Sequence, residues 1–241
     1  MSSRAQESTV GGQFEIGRIA RIPILIDFSF ILLIVLWGQS YFTSGNTQMM
    51  SAGVIIIIGL AISILIHEFA HAAAGHLFGV RASHVELNGL GGLCYWASPM
   101  RQEAWPRIAI ALAGPFSNLV LWWLFDALLG FLRANGDLRA NALLFHAVGM
   151  LSIINWYLFL FNLLPAYPLD GSSALEALLN TVLPNWRSRQ IVACLGLIVM
   201  AGLFYYAFPS NIWMLLLALL MGLQNWQVLQ ASGGPPWQRW K

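Results

Sequence analysis

The chain has 241 residues, 58% of them hydrophobic and 9% charged, with a mean hydropathy of +0.68, which excludes an ordinary soluble globular domain and makes a bilayer its natural solvent. The net charge of +2 comes from 12 basic residues spread thinly along the chain, so no basic stripe is available for nucleic acid. Two cysteines, Cys94 and Cys194, lack CxxC spacing, which argues against a disulfide framework or a cysteine-based metal site.

In chain order, residues 14–27 alternate apolar and polar side chains around a glycine and a proline, which predicts short strands at the membrane surface. The apolar run that follows Arg18 and Arg21 lacks a small-residue cleavage site and reads as a retained first span over Phe28–Phe42. A second span covers 51–78. The glycine-rich stretch 80–97, with Gly89, Gly91 and Gly92 between strand-like residues, reads as a hairpin or re-entrant loop. A third span over 105–132 carries Gly114-Pro115, and a fourth over 142–164 is stopped by Pro165 and Pro168. A helix near 172–182 and two C-terminal spans within 190–229 complete the chain, with Trp237 and Trp240 as interface anchors. The expected fold is thus an all-α polytopic membrane protein of about six transmembrane helices with short surface or re-entrant β strands. It forms one domain over 1–241, with its catalytic core at 51–183 and no room for a second soluble domain.

Basic residues mark the cytoplasmic side of short loops. With six spans, Arg4, Arg18, Arg21, Arg81, Arg101, Arg107, Arg187, Arg189, Arg239 and Lys241 share one side, and Arg133 and Arg139 the other. Both termini are therefore expected in the cytoplasm, and the compartment expected is a bacterial cytoplasmic (inner) membrane.

Residues 67–71 read His-Glu-Phe-Ala-His. Four residues of helix bring the two imidazoles onto one face, the grip of an HExxH zinc site, with Glu68 placed as general base toward water. Three fixed positions make a weak motif alone. Here, however, they interrupt a run in which nothing else before His76 is ionisable, and each charge in mid-bilayer costs about 2.5–3.5 kcal/mol on insertion scales. A hydrolytic zinc needs three protein ligands and an open position. Asp170 is a candidate for the third: it follows the fourth span, where Pro165, Pro168 and Gly171 free the chain to turn inward.

These residues resemble the site-2 protease family of intramembrane metalloproteases. His67 to His71 looks like the family's first motif, Asn162-x-x-Pro165-x-x-x-x-Asp170-Gly171 like its second, and Ala113-Gly114-Pro115-Phe116-Ser117-Asn118 like a third element. The resemblance runs from about Phe14 to Val182. It implies His67, His71 and Asp170 as ligands of one Zn2+ per chain, Glu68 as catalytic base, and Asn162 as a polar group facing the substrate or the attacking water. It also implies that Gly89 to Trp96 forms the family's re-entrant loop, where an edge strand pairs with unwound substrate. Ser172-Ser173 stands where many relatives have Gly-Arg, and there is no room for the PDZ or CBS domains many of them carry.

Among the other polar residues, His76 reads as an interfacial histidine, and His84 and Glu86 as solvated. Asp126 and His146 read as an interfacial pair or as solvated, Asp27 as a helix cap, and Asn118 and Asn155 as interhelical hydrogen-bonding residues. The function expected is an intramembrane zinc endopeptidase. It would cut a membrane-spanning protein substrate, either to release a tethered regulator or to clear signal-peptide remnants, with a regulatory membrane protein as a further partner. The rival reading is a metal-ion or proton transporter using the same cluster; a protease-like fold that binds zinc without cutting is a third.

Overall fold

The computed structural model describes residues 12–89, 91–99, 103–135 and 142–233, apart from the side chains of Leu36 and Trp37. The expected anchors Trp237 and Trp240, and the charges at Arg4, Arg101, Arg139, Arg239 and Lys241, lie outside the described residues. The chain divides into two compact units, Met1–Pro99 with Leu121–Ile154, and Met100–Val120 with Asn155–Lys241.

In the first unit, β1 (Gln13–Ile19) and β2 (Ile22–Asp27) form a hairpin. Its two-residue turn puts Ala20 and Arg21 at positive φ, the backbone of a type I′ turn, which matches the twist of the flanking strands. Two helices follow, α1 (Phe28–Phe42) and α2 (Thr47–Leu77), and then a second hairpin of β3 (Ala82–Asn88) and β4 (Gly91–Trp96). The four strands make one sheet in the order β1-β2-β3-β4. β2 and β3 run parallel with Ile24 opposite Val85 and Ile26 opposite Leu87, a pairing that requires a crossover, and α1 and α2 provide it. Asp27 caps α1 as expected, accepting from the Ser29 backbone N–H at 2.8 Å. The Ser29 hydroxyl in turn accepts from the Gly89 N–H at 2.8 Å, tying the second hairpin to the start of α1.

Helix α2 is capped by Asn46, whose side chain accepts from Gln48 N–H at 2.9 Å. It ends in a Schellman motif: Gly79 at φ +76°, Val80 N–H to Gly75 C=O at 2.8 Å and Gly79 N–H to His76 C=O at 3.0 Å. One face of α2 is apolar and exposed at Ile58, Ile62 and Ile66, whereas Ile56, Leu60, Ser63, His67 and His71 are buried along the other. That division is the one a lipid-facing helix makes when its polar residues turn inward.

Helices α3 (Ala104–Asn135) and α4 (Ala142–Asn162) each contribute to both units, and α5 (Asp170–Leu179), α6 (Asn185–Ala207) and α7 (Ile212–Ala231) complete the second. Within that unit Asn118 of α3 donates to Asn155 of α4 at 2.9 Å, both side chains fully buried, as their places in apolar helices led us to expect. Ala166, Leu169, Met200 and Met221 form a core that joins the segment before α5 to α6 and α7.

Among the described residues five helices, α2, α3, α4, α6 and α7, are long and apolar enough to cross a membrane. The expected first span coincides with α1, whose 15 residues reach only about 22 Å against a hydrocarbon core of about 30 Å. One side-chain expectation is overturned and another narrowed. Glu86 is buried, with Gln13 Nε2 donating to it at 2.7 Å, because its strand lies inside the sheet. Of the two alternatives for Asp126 and His146, Asp126 is exposed, as solvation requires, and His146 pairs with Tyr41 at 3.3 Å.

Candidate metal centre

The regular helix through 67–71 sets the geometry of the motif. His67 and His71, each 6% exposed, bring their Nε2 atoms to 3.1 Å with ring planes at 78°. Two nitrogens on a tetrahedral ion with bonds of about 2.0–2.1 Å lie about 3.3–3.4 Å apart, so the pair fits zinc with only a small adjustment. His76, two turns beyond His67, is exposed and takes no place beside them.

Strand β4 packs directly on this stretch of α2. A Cβ on Gly75 would meet the Trp96 ring at 2.3 Å, and a Cβ on Gly92 would meet Glu68 Cγ and Oε1 at 2.6 Å. Gly92 therefore grants the Glu68 carboxylate its room, and β4, an edge strand of the sheet, passes alongside the carboxylate. Cys94 on the same strand is a free thiol; burial, reinforced by the Glu68 charge, pushes it up to about 12. His84 stacks on Tyr95 at 4.4 Å between centroids. Burial, with Glu86 nearby, raises the Tyr95 phenol above its ordinary value.

Asn162 and Asp170 belong to the second unit, on either side of a helix break. Asn162 is the last residue of α4, with Nδ2 donating to Leu158 C=O at 3.0 Å. Asp170, half-buried, opens α5. The break between them is compact: Leu163, Leu164, Ala166 and Leu169 N–H groups bond to carbonyls two or three residues back. Gly171 fits where a Cβ would meet the Leu163 carbonyl oxygen at 2.2 Å, which accounts for the glycine after Asp170. The Tyr167 hydroxyl donates to Glu176 Oε2 at 2.6 Å. Arg107 and Arg189 approach the other oxygen at 3.5 and 3.4 Å. Burial, then the Glu176 carboxylate, raises the Tyr167 phenol well above its usual range. Sequence reasoning marked Gly92 only as a hairpin glycine and passed over Glu176 and Asn225, which holds Tyr167; Asn225 stands between Gln224 and Gln227, so nothing in its sequence neighbourhood singles it out.

The model for peptidase family M50 matches residues 55–134 and 128–204. The chain belongs to peptidase family M50, the site-2 protease family. This M50 member is 27% identical over 206 residues to the zinc metalloprotease MJ0392 of Methanocaldococcus jannaschii, covering 85% of this chain and 57% of that protein. It is 33% identical over 176 residues to YwhC of Bacillus subtilis, covering 62% of this chain and 79% of that one. In fold it is similar to the site-2 protease from Methanocaldococcus jannaschii, with a TM-score of 0.66 at 24% identity over 90% of this chain and 95% of that chain. The chain spans about half the length of the first curated relatives it matches. With five apolar helices of spanning length among the described residues, this M50 chain is an integral membrane protein, and zinc is its cofactor, in keeping with the imidazole pair at 3.1 Å.

Proposed function

We propose that this chain is an intramembrane zinc endopeptidase, acting as one membrane-embedded domain on a transmembrane or membrane-proximal segment of another membrane protein. The observation that carries the reading is the convergence of His67 and His71 on the buried face of α2, with Glu68 beside strand β4. His67, His71 and Asp170 hold one zinc ion in this proposal, since two imidazoles and a carboxylate are the donor types of a hydrolytic zinc site. When bound, zinc supplies Lewis acidity that polarises the scissile carbonyl and acidifies water. Glu68 takes a proton from the attacking water and passes it to the departing amine as the C–N bond breaks. Asn162 orients substrate or water by hydrogen bonding. A helical peptide bond is shielded by its own ladder, so substrate unwinds locally and is held extended by adding to the free edge of β4. Its release from the membrane serves either to free a tethered regulator or to clear signal-peptide remnants, under the control of a further membrane protein.

Transport by the same cluster lacks a polar route. Between Ala52 and Ile66 the only polar side chain on α2 is Ser63, whose hydroxyl donates to Gly59 C=O at 2.8 Å. The proposal is tested on purified protein by zinc content and by cleavage of a panel of single-span substrates, for wild type and Glu68→Gln. Cleavage by wild type, with zinc retained and cleavage lost in Glu68→Gln, is the expected result; equal cleavage by both, or zinc in neither, refutes it.

A bacterial inner-membrane location with both termini cytoplasmic follows the ten-against-two bias of basic residues. It requires the short α1 to cross with help from its flanking residues. Reporter fusions at either terminus check this, and a periplasmic signal from either one refutes it.

A further inference from the structure

The second unit contains an arrangement that the zinc reading does not use. Tyr167 sits midway through the break that separates α4 from Asp170, between Pro165 and Pro168, neither of which has an N–H. Its own N–H and C=O are both taken by one side chain, Asn225 of α7. Tyr167 N–H donates to Asn225 Oδ1 at 3.0 Å, and Asn225 Nδ2 donates to Tyr167 C=O at 2.8 Å. The second Nδ2 hydrogen goes to Met221 C=O, one turn back on α7, at 2.8 Å. One acceptor and two donors are used, so the amide orientation is fixed and no carboxylate or hydroxyl reproduces it.

Helix α6 is shaped to admit this amide. A Cβ on Gly196 would lie 2.0 Å from Asn225 Oδ1 and 3.1 Å from Ala166 Cα. Asn225 is fully buried, 58 residues from the backbone it holds. From Tyr167 the chain passes through Pro168 and Leu169, whose N–H bonds to Ala166 C=O at 2.9 Å, straight into Asp170. From the other side, the Tyr167 hydroxyl is held by Glu176, on the helix that Asp170 begins.

We propose that Asn225 is a positioning residue for Asp170: through the Tyr167 peptide, helices α6 and α7 fix the backbone that sets where the Asp170 carboxylate points. This rests on the reading of Asp170 as a zinc ligand. It gives the last two helices a part in metal binding, although neither supplies a ligand. Partners that orient a metal ligand typically change metal affinity about 10–100-fold when removed.

The test compares zinc affinity, by chelator competition in detergent, and the visible absorption of the Co2+-substituted protein, which reports ligand number and geometry, for wild type, Asp170→Ala, Asn225→Ala and Gly196→Ala. Gly222→Ala, whose added Cβ meets only Met200 Cβ at 3.9 Å, controls for α7 packing, and elution profile and far-UV circular dichroism report folding. Asn225→Ala is expected to stay folded, to bind zinc about 10–100-fold more weakly, and to shift the Co2+ spectrum toward that of Asp170→Ala, with Gly222→Ala unchanged. Gly196→Ala, which pushes the amide from its seat, should follow Asn225→Ala and decides the matter if the truncation does not fold. Weakened binding in Asp170→Ala, with wild-type affinity and spectrum in the folded clamp variants, overturns the positioning role alone. Wild-type zinc affinity in Asp170→Ala overturns the ligand reading beneath it.

Discussion

Replacing Gly92 by alanine tests the placement of Glu68, the proposed catalytic base, without touching a charge. The new Cβ would lie 2.6 Å from Glu68 Cγ and Oε1 and 2.9 Å from Cδ, whereas carbon atoms rest at about 3.5–4.0 Å. The carboxylate must therefore retreat by about 1 Å, a misplacement of the size that costs about a hundredfold in rate, or about 2.7 kcal/mol at 1.36 kcal/mol per decade. Glu68 is only 4% exposed, so it has little space to yield, and overpacking adds a stability loss of about 1–3 kcal/mol. The assay is steady-state cleavage of a single-span substrate by purified protein, with zinc measured in the same preparation. Ile58→Ala, on the exposed apolar face of α2, is the control. The expected result is a kcat about a hundredfold lower, with zinc content and KM unchanged. A kcat equal to wild type, or zinc lost along with activity, refutes the idea that Gly92 makes room for a working Glu68.

Two more predictions concern neighbouring features. The Cys94 thiol, pushed up to about 12 by burial and then by Glu68, should stay protonated at pH 8.5 and react slowly with iodoacetamide in a Cys194→Ser background. Glu68→Gln removes the charge and should speed the labelling, and a wild-type Cys94 that labels as fast as a free thiol refutes the assignment. In the buried pair at 2.9 Å, Asn118→Ala and Asn155→Ala should show a coupling of about 0.6 kcal/mol, and at most about 1.7 kcal/mol, in a double-mutant cycle of unfolding in detergent, the average and the upper end for polar contacts between membrane helices. Additive losses would show that the two amides act independently.

The sequence by itself determined what depends on short range and on solvent. Apolar runs marked six spans, five of which are helices of spanning length among the described residues, bounded within a few residues of the expectation, since a helix is the element that satisfies its own backbone in lipid. The four-residue repeat placed His67 and His71 on one face, and glycines flanked by strand-like residues marked the hairpin that became β3 and β4. Asp27 as a cap, and Asn118 and Asn155 as residues that hydrogen-bond between helices, were equally readable, though not that the two pair with each other.

Tertiary structure decided whatever depends on which distant surfaces meet. The parallel pairing of β2 with β3 joins residues some sixty positions apart, and no local pattern encodes it. That pairing buries Glu86, which looked solvated in its own sequence neighbourhood. The space at Gly92 has meaning only because β4 lies against Glu68, and the space at Gly196 only because Asn225 fills it. Asn225 stands among Gln224, Gln227 and Gln230 and is not marked out from them in sequence, and its partner, the Tyr167 peptide, is backbone, which leaves no mark in a sequence. Periodicity and composition report the forces within one element and between it and its solvent, whereas contacts between elements are set by the fold as a whole.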